Sequence, residues 1–241
     1  MTDHLAARLF APLALSAIGA LAVLLLVLVK GDLCPGQRRR ISDGLMSVWA
    51  VLGLSLMLAV EAQVPQLMLW WGGLTVLLGI GVLVYQARLT GKRSLSVSWQ
   101  WPASILAAGL GLWILVRVGP AGLFMLGAGG CVFAHLILVR AKHRLQAFNL
   151  LLPLVGVSCA LLFIFVLLCQ VAWLGDAVNS EDLILPFGQV CGVVLLGALV
   201  WLWPVFRKEA TSAPVLALAT LLILSALTLG QGIIGQLINQ A

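Results

Sequence analysis

Few residues in this chain have side chains suited to chemistry, and most of those stand where long apolar runs end. Glu61 closes one such run and Arg117 another, and the loop charges considered below put both on the same side. A charge at the edge of a bilayer is costly unless a partner or a solvated path offsets it. Two readings stay open: both residues reach for lipid headgroups, or they line a polar pocket near the outer leaflet. Gln66, Gln170, Gln189 and Gln231 add uncharged hydrogen-bonding groups toward that same side. His135 is the one titratable group besides the cysteines well inside an apolar run, while His4 and His143 fall in a terminus and a loop. With no second histidine to face it, an intrinsic bis-histidine haem is not expected. Cys131, Cys159, Cys169 and Cys191 fall within helices and read as small packing residues, and Cys34 in a cytoplasmic loop stays a free thiol. No C-x-x-C, Walker sequence, nucleophile elbow or H-E-x-x-H is present, so neither a metal nor an iron–sulfur cluster is expected in this chain.

The elements that must position these residues follow from composition. Of 241 residues, 62% are hydrophobic and only 9% are charged, whereas soluble domains carry about 25% charged residues. That excludes a soluble domain. The net charge of +6 is scattered over loops and forms no basic face, which excludes a nucleic-acid binder. A membrane-crossing helix takes about 20 residues, and apolar runs separated by short polar clusters predict eight: roughly 9–29, 44–60, 66–86, 99–117, 120–139, 147–173, 184–205 and 214–237. The expected fold is therefore all-α, a single polytopic membrane domain over 1–241. The first run is too long for a signal-peptide core and lacks a small-x-small cleavage site.

Twelve of the fourteen basic residues follow odd-numbered helices: Lys30 and Arg38–Arg40, then Arg88, Lys92 and Arg93, then Arg140, Lys142 and Arg144, then Arg207 and Lys208. Arg8 and Arg117 remain on the other side, with Asp3, Glu61, Asp176, Glu181 and Asp182. Excess Lys and Arg mark the cytoplasmic side, so both termini are expected outside, in the periplasm of a bacterial inner membrane. Trp70, Trp71, Trp113 and Trp173 then fall near outer helix ends, and Trp49, Trp99, Trp101, Trp201 and Trp203 near inner ones, which fits an interfacial belt. Glycines at 72 and 73, 79 and 81, 109 and 111, 127 with 129 and 130, and 230 with 232 and 235 are expected at close helix contacts. Pro102, Pro120, Pro186 and Pro214 read as first-turn prolines, and Pro153 lies inside helix six.

Several stretches in this order resemble the membrane anchor subunit family of dimethyl sulfoxide reductase. They are Leu28-Val29-Lys30-Gly31-Asp32-Leu33 with Trp49, Leu112-Trp113-Ile114-Leu115-Val116-Arg117-Val118, and Gly122-Leu123-Phe124 with Gly129-Gly130. Leu151-Leu152-Pro153, Trp201-Leu202-Trp203-Pro204 and Gly230-Gln231-Gly232 continue the series. The resemblance implies an eight-helix anchor with periplasmic termini that binds menaquinol. Such an anchor passes electrons to an iron–sulfur electron-transfer subunit and a molybdopterin catalytic subunit, in anaerobic respiration. This chain departs from the family at the quinol site: Glu61 stands where the family carries a histidine, and Gln231 lies in a stretch where the family's charges are replaced, so Glu61, Arg117 and Gln231 are the candidate quinol-binding residues here. The chain itself is expected to hold no haem and no cluster, so it is a non-catalytic subunit, oxidising menaquinol at most. Two other functions fit the same features: a tether that assembles partners without oxidising quinol, and a small-solute transporter. Against the transporter stand the lack of an inverted repeat and of a midplane charged pair.

Overall fold

A computed structural model describes residues 3–89, 95–141, 146–174 and 180–240. Those residues form eight long helices: α1 Asp3–Lys30, α2 Pro35–Glu61, α3 Gln66–Ala87, α4 Trp101–Val118, α5 Pro120–Arg140, α6 Gln146–Leu174, α7 Ser180–Arg207 and α8 Ala213–Gln240. A short 3₁₀ turn, Val97–Gln100, leads into α4. Each of the eight is long and apolar enough to cross a membrane, so this is a multi-pass integral membrane protein. Lys92, Arg93, Lys142, His143, Arg144 and Asp176 lie outside the described residues, and nothing is stated of the side chains of Asp3, His4, Glu181 and Asp182.

The bundle is organised around α1 and α5. These two pack on each other, and α1 also touches α2, α4 and α8, while α5 touches α4, α6 and α8. Burial follows that arrangement: 72% of the apolar window of α1 and 61% of that of α5 are buried, against 22% for α3 and 28% for α7. Glycine permits the central contact. A Cβ on Gly130 would stand 2.6 Å from the carbonyl carbon of Gly19, so the two backbones touch directly. Several hydroxyls inside the bundle donate to a carbonyl one turn back, as where Ser104 donates to Gln100 O and Thr220 to Leu216 O, whereas buried Ser16 Oγ has no partner among the described residues.

Three expectations need correction. Helix α2 begins at Pro35, not near 44, so Arg38–Arg40 form its first turns and not a loop. Proline at the first helical position starts the helix, and Arg39 lies 3.9 Å from Asp43 one turn on. That earlier start puts Trp49 at mid-helix, fully buried with its indole against Gly79. Trp201 is buried too, so these two tryptophans belong to the core and not to an interfacial belt. Helix α7 begins at Ser180, which puts Pro186 inside the helix and not in its first turn.

Candidate functional site

The turn between α2 and α3 is the most constrained backbone near the predicted site residues. Gln63 N–H donates to Val60 O and Val64 N–H to Ala59 O, the paired bonds of a Schellman cap, and Pro65 then stands at the N-cap of α3. The cap places Gln63 at φ 53°, a left-handed conformation that glycine adopts freely and other residues do not. Across the bundle end, α4 stops at Gly119, with φ 78° and Pro120 directly after it. A single residue thus reverses the chain between α4 and α5, and it holds Arg117 in the last turn of α4.

Between these turns lies a cavity of ≈ 260 Å³. Ala7, Phe10 and Ala11 of α1, Ala62–Pro65 of the turn, Trp113, Ile114 and Arg117 of α4, and Gln231 of α8 line it. The Arg117 guanidinium carbon stands 5.4 Å from the Trp113 ring centroid, a cation–π distance that keeps the cation over the indole. Gln231 Oε1 is buried with no hydrogen-bond partner among the described residues, and so is Gln170 Oε1. Half-buried Arg8 lies against α8 beside Gln231, since a Cβ on Gly232 would stand 3.1 Å from its Nε. The site therefore brings together a guanidinium, which can only donate, and a glutamine whose amide oxygen, which can only accept, is left without a partner among the described residues.

Of the three residues singled out from sequence, Arg117 and Gln231 share this cavity and Glu61 does not line it. Glu61 is exposed at the end of α2, one residue before the lining begins, and forms no ion pair with Arg117. The remaining wall was not foreseen. Ala7 and Ala11 matter only by leaving space, and Gln63 enters only through the shape of its turn.

His135 belongs elsewhere. It is fully buried in α5, and the Trp201 indole N–H donates to its Nδ1 at 3.0 Å. An indole nitrogen can only donate, so Nδ1 is the acceptor in this bond. Gly156 leaves the room that the Trp201 ring fills. Among the described residues no three His, Cys, Asp or Glu side chains gather into a metal-binding group.

Fold and site together define a multi-pass, all-α membrane protein with a small amphipathic pocket at the end of the bundle where α1 begins and α8 ends. The model of a family described as an integral membrane domain matches residues 2–230, and the chain belongs to that family. No curated protein and no solved structure matches it. This overturns the resemblance to the dimethyl sulfoxide reductase anchor subunits. Segments such as Leu151-Leu152-Pro153 and Gly129-Gly130 are what bilayer burial and close helix packing select in any helical membrane protein, so their recurrence in order carries little information about descent. The iron–sulfur and molybdopterin partners rested on that resemblance alone.

Proposed function

We propose that this protein binds the head of a membrane-dissolved quinone or quinol, of the menaquinol class, in the pocket between α1, α4, α8 and the α2–α3 turn. The observation that carries the reading is that Arg117, Trp113 and Gln231 line one cavity, with Gln231 Oε1 buried and without a hydrogen-bond partner among the described residues. A quinone carbonyl accepts from the guanidinium, and a quinol hydroxyl donates to the orphan amide oxygen. The indole gives the flat ring a surface to lie on. Sites for drug-sized ligands measure about 300–1,000 Å³; this cavity is slightly smaller, which suits a ring system whose isoprenoid tail stays in lipid. The excess of basic residues at the opposite end supports a non-cytoplasmic position for this pocket. No step of electron transfer is assigned to the chain.

Titration of a menaquinone analogue into the protein in lipid nanodiscs, followed by tryptophan quenching, tests this. Saturable quenching is expected, with a component lost in Trp113→Phe. Arg117→Gln and Gln231→Leu should each raise Kd roughly 10-fold or more, the effect of a lost buried or charge-assisted hydrogen bond. Quenching that grows linearly with quinone and is the same in all variants would refute the site.

A further inference from the structure

A second cavity, of ≈ 310 Å³, lies at the opposite end of the bundle between α2 and α5. Arg40, Asp43, Gly44 and Ser47 line it from α2, and Ile137, Arg140 and Ala141 from α5 and its cap. The two arginines come from different helices and form no ion pair with any described residue. Asp43, the one acid in the wall, is already engaged: Gln86 Nε2 donates to its Oδ1 at 2.9 Å, and Arg39 Nε lies 3.9 Å from its Oδ2. Arg39 also donates to Leu89 O at 3.3 Å. The acid is thus tied to α3 and to its own helix, which leaves the cavity with a cationic surplus and the Ser47 hydroxyl. Gly44 sets the spacing, since a Cβ there would stand 2.5 Å from Ile137 Cγ2.

Depth identifies the ligand class. Helix α2 has 27 residues, about 40 Å at 1.5 Å per residue, against a hydrocarbon core of about 30 Å. Arg40, in the second turn of α2, therefore stands near headgroup level with Arg140 at the end of α5, and Ser47 lies two turns deeper in the bundle. Basic pockets between helices at that depth suit anionic headgroups, and guanidinium forks match phosphate oxygens geometrically. We infer that this cavity binds a phosphate group, with Arg40 and Arg140 as its cationic clamp and Ser47 as a neutral donor. The inference does not depend on the quinone reading, because the two cavities share no residue.

The test is thermal unfolding of the full chain in detergent, with three additions compared at constant ionic strength. These are inorganic phosphate, phosphatidylglycerol, and a monoacylglycerol that has a tail but no phosphate. A saturable rise in Tm of about 3–6 °C is expected with a phosphate-bearing ligand and not with the monoacylglycerol. A rise with inorganic phosphate identifies a free-phosphate site, and a rise with phosphatidylglycerol alone identifies a lipid headgroup; both support the inference. Arg40→Gln and Arg140→Gln should abolish the rise. Ser47→Ala, which leaves the charges in place and guards against misfolded arginine variants, should raise the ligand concentration for half-effect about threefold or more. Arg207→Gln removes the same charge away from the cavity and should leave the rise intact. Equal losses in Arg207→Gln and the cavity variants, or no rise with either phosphate ligand, would overturn it.

Discussion

At position 63 a glycine would serve the backbone better than the glutamine that is there. The left-handed conformation costs an L-residue about 1–2 kcal/mol, and a Schellman cap asks for nothing from the side chain at that place. Gln63 nevertheless lines the α1–α4–α8 cavity, which is the pattern of local strain held at a working site. Gln63→Gly should raise stability by about 0.5–1 kcal/mol once the extra freedom of glycine in the unfolded chain is deducted, and should weaken quinone binding. Thermal melts and the quenching titration read the two effects separately; a gain in stability with unchanged affinity would make Gln63 a turn residue only. Arg117 and Gln231 were legible from sequence, because a cation and an amide at the ends of apolar runs stand out. Their meeting was not, since it depends on α4 and α8 both packing against α1. Arg40 and Arg140 were legible only as topology signals, because a basic residue that orients a helix and one that lines a cavity look the same in a string of letters.

At the scale of elements, the eight apolar runs identified the eight helices, and five of the helix starts fall within about two residues of where hydropathy puts them, while α1, α2 and α7 begin earlier. The largest error, at α2, has a simple cause. Arg38-Arg39-Arg40 has the polarity of a loop, but arginine is a good helix former and Pro35 starts the helix. A similar error at α7 arose because the residues before Leu183 are polar. Small-residue patterns were legible as packing but not as to which members pack. Gly79 sits beneath the Trp49 indole, whereas Gly81, two residues on, faces open space. Gly79→Ala should therefore cost about 1–3 kcal/mol through overpacking, while Gly81→Ala should be neutral or gain up to about 1 kcal/mol from helix propensity. Comparing the unfolding midpoints of the two variants checks the register of α2 against α3. Equal effects would mean that the contact between these helices is wrongly placed.

Across the whole molecule, the α1–α5 pair is a spine on which one group, α2–α4, and another, α6–α8, are assembled. The α1–α4–α8 pocket forms where the first turns of α1 meet parts of both groups, so it exists only in the assembled bundle. A groove of ≈ 360 Å³ between the later turns of α1 and the start of α4, lined by residues such as Leu25, Trp101 and Ile105, is separate from it. At about 100° per residue, Trp101, Ile105 and Ala108 lie on the opposite face of α4 from Ile114 and Arg117. A ligand head among Arg117, Gln231 and Trp113 therefore does not run its tail along that groove. The most direct test of the central claim is photo-crosslinking with a short-tailed azido-naphthoquinone in nanodiscs, followed by peptide mapping. Binding in the pocket predicts label confined to residues 7–11, 62–65, 113–118 and the neighbourhood of Gln231, all competed by unlabelled quinone. Label spread over lipid-facing positions such as Leu195, Leu199 and Leu221, without competition, would contradict it.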